Sequence, residues 1–122
     1  MKKMIVAALL LWAVVQGADA QVKYEFKQMT AVESVVPGGL GRSRLITSDK
    51  DGKMEEIKLD NFFSLVGINF GNIKDNDKTL AAKIEENVNA GWELVNVNTG
   101  VYGVESSTGI FITRYLFRRV KP

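Results

Sequence analysis

The chain has 122 residues, 46% of them hydrophobic, a formal charge of +2, and neither a histidine nor a cysteine. Those two absences exclude Ser-His-Asp and Cys-His nucleophilic catalysis, imidazole proton shuttles, disulfides and the usual zinc ligand set, so any catalysis has to come from carboxylate, lysine, arginine or tyrosine. The near-neutral balance is no footprint for general nucleic-acid binding, and no nucleic-acid partner, metal or cofactor is expected.

Lys2 and Lys3 precede the uncharged apolar run "IVAALLLWAVV" (Ile5–Val15), and "GADA" then places Ala18 and Ala20 at the small-residue positions that a signal peptidase needs. Residues 1–20 therefore read as a secretory signal peptide. The run is well short of the ~20 apolar residues that cross a bilayer, and polar Gln16 and Asp19 follow it, so no stable membrane span remains after cleavage. The expected mature chain, residues 21–122, starts at Gln21 and works in the periplasm or outside the cell. Losing Lys2, Lys3 and Asp19 leaves 14 basic against 13 acidic side chains, a formal charge of +1. A chain of this length buries about two thirds of its unfolded surface in one core. Without disulfides it depends on packing, which favours a sheet and helix over a loop-rich scaffold.

In "VKYEFKQMTAVESVV", Val22, Tyr24 and Phe26 alternate with Lys23, Glu25 and Lys27, the period-2 pattern of a half-buried strand. The next stretch, "PGGLGRSR" (Pro37–Arg44), sets three glycines before two arginines. A phosphate cradle would lead from such glycines directly into a helix opening with Lys and Ser or Thr, whereas here the chain enters the strand-like "RLIT". The glycines read as a turn with Arg42 and Arg44 starting the next strand; the alternative is an anion nest of glycine amides joined by those arginines. Lys50-Asp51-Gly52-Lys53 is a hairpin signal between two short strands. A calcium loop with Gly52 at its sixth position would need acids at Thr47 and Lys58, and neither is acidic.

"NFFSLVGINFGNI" reads as a short helix after Asp60 that ends at Gly67 and continues as an extended piece. It is a second part of the core, or an exposed interaction patch made by Phe62, Phe63, Val66, Ile68 and Phe70. A longer helix follows over "DNDKTLAAKIEENVNAGW": Asp75 to Asp77 offer N-caps, Leu80, Ile84 and Val88 share a face, and Gly91 stands at the C-cap. Glu85 and Glu86 point about 100° apart and read as a solvated face rather than a catalytic pair. Trp92 reads as a core anchor beneath the helix end; a sugar-stacking platform beside Asn96 and Asn98 is the alternative. Two strands, "ELVNVNTGVY" and "GIFITRYLFRRV", close the chain around the loop "GVESSTG". The second sets Arg114 and Arg118 on one face with Ile110, Ile112 and Leu116, and Arg119 on the other with Phe111, Tyr115 and Phe117. These arginines either solvate an edge, pair with acids such as Glu25 and Glu33, or join Arg42 and Arg44 in an anion-binding surface.

The opening Tyr24-x-Phe26-Lys27, the helix running into "GWELVNV" (Gly91–Val97) and the closing "RYLFRR" (Arg114–Arg119) together resemble the small bacterial domain-of-unknown-function 4177 family, over roughly half of the mature chain. The resemblance implies a compact α+β domain, one main helix against a small antiparallel sheet, and carries no activity, cofactor or catalytic residue. Simple members connect first strand to helix directly; here Ser34 to Ile73 intervene as a hairpin-containing insertion. The expected function is an exported, non-catalytic binding or interaction protein whose partner is another protein or an anionic glycan, with self-association open. An enzyme using carboxylate, arginine or tyrosine chemistry and an envelope assembly component associating through the Phe62–Phe70 patch are the alternatives.

Overall fold

Alternation along Tyr24–Val35 produces a twelve-residue strand, β1, which becomes the middle of the sheet because both of its edges find partners. The computed structural model describes residues 20–36, 41–104 and 108–122. The signal peptide expected over residues 1–20 therefore falls almost wholly outside the described residues, as do Pro37 to Leu40 of the glycine stretch and Glu105 to Ser107 of the last loop. After β1 come β2 (Arg44–Asp49), β3 (Met54–Lys58), a miniature pair β4 (Phe63–Ser64) and β5 (Gly67–Ile68), the helix α1 (Phe70–Asn89), β6 (Glu93–Val104) and β7 (Thr108–Val120). The architecture is α+β: one helix against a five-stranded antiparallel sheet in the order β3-β2-β1-β7-β6.

The β2–β3 turn is built as its sequence suggests. Gly52 takes φ 77°, while the Asp49 carboxylate accepts from the amides of Asp51 (3.0 Å) and Lys53 (2.9 Å). Asp49 Oδ1 thus holds the turn in the manner of an Asx turn.

Two expectations are corrected. The short helix after Asp60 is instead the β4–β5 hairpin, with Leu65 and Val66 at its tip, because Gly67 stands at φ 118°, a value no helix contains. The long helix starts earlier than Asp75–Asp77: Asn69 is its N-cap, its side-chain oxygen accepting from the Asn72 amide at 3.1 Å, and Gly71 is absorbed in the first turn. At the other end Gly91, at φ 87°, terminates α1 as its position implied, and the Trp92 amide returns to the Asn87 carbonyl at 3.0 Å.

Met29, Ala31, Leu45, Leu59, Leu80, Trp92 and Phe117 form the core between sheet and helix, with Ile57, Ile84 and Tyr115 against it. The buried stripe of α1 is Asn76, Leu80, Lys83 and Asn87, not the expected Leu80, Ile84 and Val88; Val88 is half exposed. Steps of four residues drift about 40° each around a helix, whereas the 4-3-4 spacing of the observed stripe keeps facing the sheet. Three of its four members are polar, and each has a partner. Asn76 donates to the Asp60 carbonyl (2.8 Å) and to Glu33 (3.3 Å) and accepts from the Asp60 amide (2.8 Å). Lys83 bridges Glu55 and Glu86 at 2.9–3.0 Å, and Asn87 accepts from Lys27 at 3.0 Å. Bonds of this kind set the helix in one register over the sheet, since any slip would strand buried polar groups.

Candidate functional site

The face of the sheet turned away from α1 carries every residue that alternates with the core. Reading across the strands, one row is Glu56, Ile46, Thr30, Arg114 and Asn98, and the next is Met54, Ser48, Gln28, Leu116 and Asn96. Two shallow depressions meet on these rows. One, of about 270 Å³, is lined by Gln28, Thr30, Ser48 and Arg114; the other, of about 280 Å³, by Gln28, Asn96, Asn98, Arg114 and Leu116. Arg114 is exposed, belongs to both, and has no hydrogen-bond or ion-pair partner among the described residues. Around it stand amide and hydroxyl groups that donate or accept equally well. Such a constellation can take one carboxylate, sulfate or phosphate on the guanidinium fork and several hydroxyls on its surroundings.

The other three expected arginines are disposed differently. Arg44 donates from Nε to Glu56 and from Nη1 to the Ser43 carbonyl at 2.8 Å. Arg118 donates to Glu93 at 2.7 Å and lies 4.6 Å above the Tyr24 ring. Arg42 is exposed ahead of β2. Because β1 lies between β2 and β7, Arg44 sits opposite Val32 rather than beside Arg114, and the four do not converge. The expected sharing of faces along β7 is observed: Arg114 and Arg118 pair with open-face residues, Arg119 with Glu25 on the helix side. Gly41, the last of the stretch's glycines, has a packing role: a Cβ there would overlap the Asn61 amide and come within 2.7 Å of the Ser34 Cβ.

The expected apolar patch divides. Phe62 stacks on Phe111 at 5.8 Å, and Phe63 lines a depression with Asn61 and Asn72, while Val66 is 97% exposed, Phe70 76% and Ile68 56%. Trp92 is 7% exposed, in the core, with the Lys27 ammonium at 4.5 Å and the Arg119 guanidinium at 4.4 Å over its ring. It is no platform for a sugar on the Asn96–Asn98 face, which is the opposite side of the sheet.

Three titratable groups on the helix side, Glu33, Lys27 and Lys83, were given no site role from the sequence. Burial pushes the Glu33 carboxyl up, the Asn76 hydrogen bond opposing and the Asp77 charge adding to it. Burial, then the charges of Arg119 and Lys83, pulls Lys27 below the usual lysine value. For Lys83 burial works against the charge, but hydrogen bonds to Glu86 and Glu55 outweigh it and hold its pKa up. Glu33 is buried beside Asn76, while Lys27 lines a small depression of about 160 Å³ with Thr47, Asp49, Lys53 and Glu55. Among the described residues no three Asp or Glu gather as ligands for one ion, and no helix is long and apolar enough to cross a membrane. Comparison with protein-family models, with curated proteins and with solved structures returned no match.

Proposed function

We propose that this chain is an exported, non-catalytic binding protein that takes an anionic, hydroxyl-rich ligand, a carboxylated glycan in its simplest form, on the open face of its sheet. The observation that carries this reading is Arg114: an exposed guanidinium without a partner, ringed by Gln28, Thr30, Ser48, Asn96 and Asn98 in two adjoining depressions. Arg44, Arg118 and Arg119, by contrast, are each paired with an acid. The signal-like first twenty residues support export to the periplasm or beyond. The resemblance to the domain-of-unknown-function 4177 family supports a scaffold of this kind, with Ser34 to Ile73 as an insertion that supplies β2, β3 and the β4–β5 hairpin. Shallow relief and a single formal charge favour weak, salt-sensitive binding.

The test is titration calorimetry of the purified protein with uronic-acid oligosaccharides and their neutral counterparts, repeated on Arg114→Ala. Binding of the acidic set alone, weakened roughly tenfold or more in Arg114→Ala with an unchanged melting curve, supports the reading. Equal binding by the folded variant eliminates Arg114 as the anchor. A second reading, association with another envelope protein, rests on the exposed Leu65, Val66, Ile68 and Phe70 around the β4–β5 tip. It predicts that Val66→Asp abolishes a pull-down that Arg114→Ala leaves intact.

A further inference from the structure

The two edges of the sheet are finished differently. β3 is short and charged, "MEEIK", and its Glu55 is tied to Lys83 of α1. β6 is twelve residues long, forms the opposite edge, and no described strand pairs with its outer side. Beyond Glu93 it contains no charge and no proline: "LVNVNTGVYGV". Proteins ordinarily blunt a long edge with lysine, proline, bulges or a covering element, because its unpaired amides and carbonyls template another strand. Here a bulge between Leu94 and Asn96 disturbs only the first turn of the strand, and the rest runs in regular register against β7. Val97, Val101 and Tyr102 on that stretch are 47%, 66% and 65% exposed.

We infer that β6 pairs with β6 of a second copy, antiparallel and centred on Thr99, to make a continuous ten-stranded sheet. The occupant follows from the strand's own pattern. On the helix side the residues read Val97, Thr99, Val101, a sequence that is the same in both directions, so a two-fold centred on Thr99 sets Val97 against Val101 of the other copy, twice, around a Thr99–Thr99 pair. On the open side the same register sets Asn98 against Gly100 and Asn96 against Tyr102. No charge meets a like charge over residues 95–103, which is the condition a self-pairing strand must meet and a strand selecting a charged foreign partner would not. Nine paired residues span about 30 Å. A seam of that length one sheet thick falls below the ~800 Å² per partner of a stable interface, so the dimer belongs to the weak, concentration-dependent class. Pairing also sets the two Arg114 sites on the same side of one sheet, three strand spacings or roughly 15 Å apart across the strands. The inference stands whether or not Arg114 binds a glycan.

Sedimentation equilibrium of the purified protein from ~10 µM to ~1 mM should show the average mass rising toward that of two chains, the range in which weak interfaces associate. Val101→Lys introduces two ammonium groups per dimer and should weaken association about 100-fold, roughly tenfold for each, while keeping the sheet, since position 101 is already exposed. The chain has no cysteine, so single replacements report register without background. Under mild oxidation Thr99→Cys should form a covalent dimer rapidly, whereas Lys53→Cys, at the far edge, and Val97→Cys, which faces position 101 rather than itself, should not. A one-chain mass at every concentration overturns the pairing, as does a Val101→Lys variant that dimerises like the wild type. Faster cross-linking of Val97→Cys than of Thr99→Cys overturns the register.

Discussion

Replacing Trp92 by alanine tests how the helix end is anchored. An aromatic side chain buries up to roughly 250 Å², and Trp92 is only 7% exposed. At ~25 cal/mol per Å² its burial contributes ~6 kcal/mol as an upper bound, and ~4–5 kcal/mol once the compactness of the unfolded chain is allowed for. That agrees with the ~3–5 kcal/mol typical of Trp→Ala in a core. For a domain near 100 residues such a loss lowers Tm by roughly 20–30 °C and consumes much of the total stability of ~5–15 kcal/mol. Trp92→Phe, which keeps a ring between Lys27 and Arg119, should fall by no more than about half as much. Urea unfolding followed by circular dichroism measures both. In a chain starting at Gln21, Trp92 is the sole tryptophan, so wild-type emission and acrylamide quenching report its burial independently. An alanine variant melting within ~3 °C of the wild type, or free quenching of Trp92, would refute the anchoring role.

Gly41→Ala should cost about 1–3 kcal/mol, because the new methyl meets an Asn61 amide already held by Val36 and Phe63; an unchanged Tm would mean that this packing is not as described. The raised pKa of Glu33 has a defined sign. Its burial is tolerated in full below the ordinary value of 4.5, where folded and unfolded chains both hold the proton, and stability falls as pH rises through the higher folded value. Glu33→Gln removes that fall, so its Tm should gain on the wild type as pH rises above 4.5; a pH-independent difference would refute it. The Arg114→Ala titration is the corresponding test of the open face.

Period-2 and capping signals were enough to place β1, the Asp-Gly turn, the end of α1 at Gly91, the burial of Trp92 and the two faces of β7. Each of these is decided by neighbours close in sequence, but the buried side of β1 is not: Tyr24 and Phe26 lie on the open face, Phe26 51% exposed, while Lys27 turns to the helix. The β4–β5 hairpin was hidden because Phe62 to Phe70 is apolar but for Ser64, Gly67 and Asn69, and only the positive φ at Gly67 separates a tight turn from a helical one. The true stripe of α1 escaped notice because Asn76, Lys83 and Asn87 are polar. Their burial depends on Glu33, Glu55 and Lys27, which come from strands far away in the chain. The cluster around Arg114 was legible only in halves. Arg114 and the Asn96–Asn98 pair stood out, but Gln28, Thr30 and Ser48 join them through the order of the strands, which no local pattern states. The same strand order separated Arg44 from Arg114.

The strand order also governs when the molecule can fold. β1, the first strand to be made, sits against β7, the last: Tyr24 lies opposite Val120 and Val35 opposite Gly109. Phe117, one of the fully buried core residues, and Tyr115 packed beside it both come from β7. Without β7 the β1–β2–β3 meander and α1 remain, but β1 is unpaired along one edge and β6 has no partner strand. Pairing between segments so far apart in sequence raises the contact order and slows folding relative to a helical domain of the same size. Until β7 is in place, β1 therefore lacks the partner along its second edge, and closing the sheet waits on contacts between residues nearly a hundred positions apart.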